Sequence, residues 1–515
     1  MEIYYKNIKI DKFTFIFFFF FITIYWSIGP TMWIDALFHV AYAETLFSSE
    51  NYENWHRNNL IYHFHEGFGF GILWKTSQII GLKYSWLIFS LIQNVIFLIS
   101  LIYLHSSFQI YFKTKLKFYT LFFIYSSTLL LFFNNSYMTE AIPISLIIIS
   151  FSIYLRFENL KIKTCNLLLW KTICLLLTIS FIISQFRIHW AFFSSILTFI
   201  LLIQTKKLRF SIIVFFAIIN LFIINFNPLI NFLKLKKYKL HVYGLNKVRL
   251  LTPIVLQNTS PVFYENLSIE IENFLSINNI PYEGGSSTFV GHLADHSKLV
   301  KYTKKLSQEG RSVFEIDEVF EKIYKKIFIS NENIKVLEKK YKLKYFFWNS
   351  GLTYLFQNND RDNIERKQFR SYYRFLSIPD KNRYGLYEGW FSNINLPNIN
   401  GSQDKIFDSI KGVFDKKELL NTTYQIFNLI FFTKKLNYEI MATVSLALIL
   451  LLFKTHFFLA LVLSSTIIIN NLVTSNALLS DARMMVLNYV LYVLVLSFYI
   501  AKSQSKLTEK NGSKI

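Results

Sequence analysis

The sequence predicts a polytopic α-helical membrane protein of about ten transmembrane helices, with one soluble insertion on the outer face. Three observations predict it. Hydrophobic residues make up 53% of the 515-residue chain, and they fall in unbroken runs long enough to cross a bilayer. The net charge is +22, from 55 Lys and Arg against 33 Asp and Glu, and much of the positive charge gathers in short loops. Between residues 228 and 436 lies the single long hydrophilic stretch.

A helix needs about 20 residues to cross the hydrocarbon core. Runs of that length stand at 13–30, 84–104, 117–134, 138–156, 167–184, 187–204, 209–227, 437–454, 456–473 and 484–501. The first has a basic flank (Lys6, Lys9, Lys12) like a secretion signal, but it continues through Tyr25 and Trp26 without a small-residue cleavage site. It reads as a retained anchor. Residues 66–82 carry three glycines and a lysine, so they read as a re-entrant or interfacial segment. Two cysteines, Cys165 and Cys174, exclude a disulfide framework.

Short loops rich in Lys and Arg face the cytoplasm. Lys113/Lys115/Lys117, Arg156/Lys161/Lys163, Lys206/Lys207/Arg209, Lys454 and the tail from Lys502 to Lys514 all fall on alternate loops. The opposite loops near 135, 185 and 476 are almost free of lysine. Ten spans therefore close with both termini inside. The chain divides into an N-terminal membrane module (1–227, first outer loop 31–83), an outer-face domain (228–436) and C-terminal spans with a basic tail (437–515). Residues 234–436 hold 32 Lys and Arg and 21 Asp and Glu, so the domain is basic and suited to an acidic glycan or anionic lipid. It reads as mixed or mainly helical, with an amphipathic helix at Val313–Ile329 and an aromatic, Asn-rich piece at Tyr384–Asn395. The Phe, Ile, Asn and Lys bias suggests an AT-rich bacterial genome, which makes the expected location the inner (plasma) membrane with the large domain periplasmic or extracellular.

Ionisable residues at span ends are costly and need a reason. On this topology they converge on the outer side. Asp35, His39, Glu44, His63, His65 and Glu66 lie in the first outer loop, Glu140 begins the fourth span, Arg187 and His189 begin the sixth, and Asp481 and Arg483 precede the last. Residues Thr31–Ser48 form a helical pattern with Asp35 and His39 one turn apart on its polar stripe. A carboxylate so placed can act as a general base with the histidine orienting it. A solvated polar face of an interfacial helix is the competing reading. His63 and His65 with Glu66 are of metal-ligand type, yet no third ligand at a recognisable spacing completes a zinc or manganese site, and a plain interfacial role competes. Glu140 needs a cation or water, for which a structural salt bridge competes with a functional role; Arg187 suits a phosphate, against snorkelling into headgroups; and for Asp481 with Arg483 a local ion pair is the competing reading. There is no Gly-rich phosphate loop, Walker motif, GxSxG or HExxH, so ATP-driven transport and the common protease chemistries find no support. Nucleic-acid binding is not expected either, since the positive charge is divided between inner loops and an exported domain.

The layout resembles the GT-C superfamily of membrane glycosyltransferases, which use polyprenyl-phosphate sugar donors. In Gly29–Pro30–Thr31–Met32–Trp33–Ile34–Asp35 the acidic residue follows the first span, as in that family. Tyr137–Met138–Thr139–Glu140 matches the second acidic position at the turn into the fourth span, and Asp481–Ala482–Arg483–Met484 resembles its late Arg-containing motif. Arg187, after the fifth span, falls where many members carry a basic residue. The resemblance covers 1–227 and 437–501 and is one of layout. It implies inverting transfer of a sugar from a polyprenyl-phosphate donor to a glycan, lipid or protein acceptor at the outer face. Asp35 is then the catalytic base with Glu140 beside it, and Arg187 and Arg483 hold the donor phosphate. His39, His63, His65, Glu66, His189 and Asp481 are further site candidates. A single Asp stands where many members have an acidic pair, so a divalent ion such as Mg or Mn has no assigned ligands. A glycan polymerase or ligase of the O-antigen type and a lipid or glycan transporter without catalysis are the rival readings.

Overall fold

The computed structural model describes residues 68–81, 85–113, 139–159, 166–205, 209–235, 243–281, most of 302–311, 313–352, 438–478 and 482–512, together with Ile16 and Ala43. Among these residues the fold is helical and contains no strand. Six helices are long and apolar enough to cross a membrane. The chain is thus a helical membrane protein.

The elements follow the apolar runs. A short helix, α1 (Phe68–Gly81), precedes α2 (Ser85–Phe112), α3 (Ala141–Asn159) and α4 (Asn166–Ser184). A 3-10 turn at Ile188–Ala191 leads into α5 (Phe192–Gln204), and α6 (Phe210–Leu235) follows. Beyond the middle segment come α11 (Tyr438–Thr455), α12 (Phe457–Asn476) and α13 (Ala482–Gly512). Eight of the ten expected spans coincide with these helices, though the one at 188–204 and that at 440–455 fall short of the other six in length. The expected spans at 13–30 and 117–134 lie outside the described residues. At 14 residues α1 spans only about 21 Å, too short to cross, as the glycines and lysine in that stretch suggested.

Helix direction can be read from contacts between helix ends. Arg156 near the end of α3 donates to Ser106 and Ser107 near the end of α2, so these two helices run parallel. Serine pairs seal the bundle: Ser150 of α3 with Ser194 of α5, and Ser180 of α4 with Ser195 of α5, both at 2.8 Å. Such small polar residues let helices approach closely where no water competes. Helix α6 is the least covered span, showing Ile218, Leu221 and Phe222 on its exterior, which is the surface lipid demands. It also runs through Pro228 to Leu235, past the expected boundary at 227.

The described part of the middle segment is helical. It comprises α7 (Tyr243–Asn258), α8 (Pro261–Ile277), α9 (Val313–Ile323), a π turn at Tyr324–Phe328 and α10 (Glu332–Asn349). The expected helix at Val313–Ile329 is thus present, with its last turn widened. Leu245, Leu251, Ile271, Phe320 and Phe328 lie in a second apolar core, which Leu478 joins from the loop after α12. Buried Asp317 accepts the Leu245 N–H at 3.0 Å, capping α7 from α9. Gly244 is what permits that approach, because a Cβ there would stand 2.2 Å from the Glu321 nitrogen.

A seam of amides joins this unit to the last two spans. Asn349 Nδ2 donates to Thr474 Oγ1 at 2.8 Å, and Asn488 Nδ2 donates to the Asn349 carbonyl at 2.6 Å and to Asn471 Oδ1 at 2.7 Å. Tyr492 donates to the Ser350 carbonyl at 2.6 Å. Nearby, Lys247 donates to the Asn476 carbonyl and lies 3.6 Å from Glu338. Glu338 also accepts from Tyr324 at 2.9 Å and pairs with Lys342 at 2.8 Å. Burial alone raises the pKa of Glu338, but these hydrogen bonds and positive charges outweigh it and hold the carboxyl below its usual range. Burial and the charge of Lys342 press Lys247 below the usual amine range.

Gly244→Ala is expected to cost about 2 kcal/mol or more, since backbone must move, whereas Gly310→Ala meets open space and costs about 1 kcal/mol from its left-handed backbone alone. Thermal unfolding of the two variants in detergent checks the order. The second expectation concerns acid. A carboxyl whose pKa is depressed by folding stabilises above its unfolded pKa, and that stability is lost as pH falls through the folded value. Glu338→Gln should therefore destabilise at neutral pH by about 3 kcal/mol. It should also flatten the loss of stability as pH falls below the ordinary carboxyl value of 4.5. Melting curves across pH read both.

Candidate functional site

Two ionisable residues from separate spans meet at one end of the bundle. Glu140 sits just ahead of α3 and its carbonyl accepts the Ile144 N–H at 3.0 Å, so its carboxylate belongs to the first turn, where the helix dipole favours an anion. Arg187 is extended (φ −145°) between α4 and the 3-10 turn, with its N–H bonded to the Ile183 carbonyl at 2.8 Å. Arg187 Nη2 donates to Glu140 Oε1 in a buried salt bridge. Thr139 Oγ1 lies 3.4 Å from the other carboxylate oxygen. The remaining guanidinium donors of Arg187 make no hydrogen bond with a described residue.

His189 stands within electrostatic reach of both charges, and its buried Nε2 has no partner among the described residues. Gln185 Oε1 is likewise buried without a partner. The Gln185 carbonyl accepts the Gly69 N–H at 3.0 Å, which brings the glycine-rich start of α1 to this corner. A side chain at position 69 would strike the Phe186 ring at 2.5 Å, so glycine is needed for that approach. The ring of Phe68 in turn meets Phe226 of α6 edge-on at 6.2 Å.

Of the expected site residues, then, Glu140, Arg187 and His189 are brought together. Asp35, His39, His63, His65, Glu66 and Asp481 lie outside the described residues, and Arg483 lies in the first turn of α13 without a described side chain. Among the described residues no group of three His, Cys, Asp or Glu side chains could hold a metal ion.

A second polar cluster lies at the opposite end, and sequence reasoning missed it. Tyr111 of α2 donates to Glu158 of α3 at 3.2 Å and lies 3.3 Å from His456 Nδ1, in the link between α11 and α12. Gln204 of α5 donates to Tyr154 at 3.0 Å, and Tyr154 OH lies 3.5 Å from Glu158. Arg156, expected in a solvent-facing basic loop, is instead buried, with its guanidinium 4.2 Å above the Tyr103 ring and bonded to Ser106 and Ser107. Charge in a loop and charge tied into a helix end look alike in sequence; the serines and tyrosine one helix away were the available signal. The ends gathered here (α2, α3, α5 and the start of α12) are those the expected topology assigns to one side.

No family model, curated protein or solved structure matches the chain.

Removing either member of the pair breaks a buried salt bridge. Glu140→Gln and Arg187→Gln should each cost about 3 kcal/mol or more, and the double variant clearly less than their sum. A double-mutant cycle on thermal stability in detergent measures that coupling.

Proposed function

We propose that the chain is an integral membrane glycosyltransferase that moves a sugar from a polyprenyl-phosphate donor to an acceptor hydroxyl at the outer face of a bacterial plasma membrane. In this reading the termini are cytoplasmic and the Glu140 end of the bundle is the outer one. The observation that carries the reading is Arg187, which is buried, fixed by Glu140 through one nitrogen, and left with guanidinium donors that no described residue engages. A fork of donors beside an apolar bundle suits a lipid-linked phosphate, whose charge grows as the sugar leaves.

The reaction is a single displacement. The acceptor oxygen attacks the anomeric carbon, the bond from that carbon to the phosphate oxygen breaks, and the acceptor proton passes to Asp35. Polyprenyl phosphate departs carrying the electron pair, with Arg187 and Arg483 offsetting its charge. Glu140 orients Arg187 and keeps the resting site neutral, so it acts as a positioning residue rather than a second base. His189, unpartnered at Nε2, supplies a donor or acceptor to the sugar, and Gln185 another. His39, His63, His65, Glu66 and Asp481 complete the outer set; Glu66 is only three residues from Gly69, which is bonded to Gln185.

A transporter is the second reading, and the half-buried Glu158–Tyr111–His456 cluster favours it, because polar groups at both bundle ends fit a two-gated path. Membrane vesicles given labelled polyprenyl-phosphate sugars and mixed acceptors separate the two. Transfer predicts polyprenyl phosphate release that Asp35→Asn abolishes at unchanged protein level, and that Arg187→Gln slows about 100-fold or more. Uptake of the intact donor without release supports transport. Release that survives Asp35→Asn but not the Arg187 change moves the assignment to a polymerase or ligase.

A further inference from the structure

The contacts of helix α10 carry it past the end of a span. At Glu338 it is level with the last residue of α12, since Lys247 bridges Glu338 and the Asn476 carbonyl. Eleven residues on, the Asn349 carbonyl and Asn471 Oδ1 share the amide of Asn488. While α10 advances from 338 to 349, its partners on α12 thus retreat by five residues, about 7 Å along that helix. Ser350 is deeper still on α13, within reach of the Tyr492 hydroxyl. The last turns of α10 are therefore level with the last turns of α12 and the early turns of α13, the depth at which headgroups would give way to hydrocarbon.

The side chains suit that depth. Lys344 packs against Tyr341 and Trp348, with its ammonium 4.4 Å from the Trp348 ring centroid, an arrangement favoured at bilayer interfaces. On the uncovered face Leu343 is 55% exposed and Val336 60% exposed. Lys339 and Lys340 are exposed between them, and neither forms a salt bridge with a described residue. Two exposed cations without a salt bridge to a described residue lie one turn from an uncovered leucine, on a helix running alongside two span ends. We propose that this face of α10 is a binding surface for anionic phospholipid, with Leu343 against acyl chains and Lys339 and Lys340 on headgroup phosphates.

The test uses the full chain in nanodiscs. Cys165 and Cys174 are replaced by Ser, and a bimane fluorophore is attached through Leu343→Cys. Phospholipid brominated on its acyl chains is the quencher, Ile218→Cys on the lipid-facing side of α6 is the reference, and Ser276→Cys on α8 is the control away from lipid. The expected result is quenching at 343 approaching that at 218 and well above that at 276. Phosphatidylglycerol in place of neutral lipid should strengthen it, and Lys339→Glu with Lys340→Glu should remove that strengthening and cut the phosphatidylglycerol retained on purification about tenfold. A label at 343 that stays bright while 218 is quenched would overturn the placement and mean that solvent or another part of the chain covers this face. Quenching that ignores both headgroup charge and the lysine changes would overturn the anionic-lipid assignment.

Discussion

Glu140 and Arg187 sit where an unpaired charge is expensive, and their pairing decides how one end of the bundle is built. The carboxylate begins one span and the guanidinium begins another, so neither helix can rotate or slide without separating them. The turn that presents Arg187 must then be tight and buried, and its Gln185 carbonyl is satisfied by the Gly69 N–H. Through that bond the short α1 is drawn to the same corner. A charge pair in water is worth little, but in an apolar bundle the cost of leaving either partner alone makes the arrangement obligatory.

The same rule runs through the remainder of the molecule with neutral groups. Apolar contact between spans is weakly directional, because lipid tails offer nearly the same contact. What sets register is the placement of serines, asparagines and tyrosines whose hydrogen bonds have no water to fall back on. Ser150 with Ser194 and Ser180 with Ser195 align α3, α4 and α5. Asn471, Asn488 and Thr474 align α12, α13 and α10. Tyr111, Glu158 and His456 close the far end.

Much of the helical framework was legible in the sequence because length and hydropathy nearly suffice for a spanning helix. The run from 141 to 159 or from 457 to 476 can be little else. Glu140, Arg187 and His189 were legible for the same reason: ionisable residues at the edges of apolar runs stand out. Partnership was not. Nothing local in the sequence says that Arg187 meets Glu140, 47 positions away, or that Arg156 turns inward onto Ser106 and Ser107 instead of outward into a loop. The amides were overlooked because Asn is abundant in this chain and a single Asn in an apolar run is easily discounted. The Asn470–Asn471 doublet inside an otherwise apolar span was the signal that an additional element docks there.

The amide seam has a mechanical consequence. It fastens α10 to α12 and α13 at one extremity of those two helices, while their other extremity is packed by His456, Phe498 and Tyr111. Any change in the tilt of either helix must therefore be accommodated at both places, by the amides and Tyr492 at one extremity and by the rings around His456 at the other.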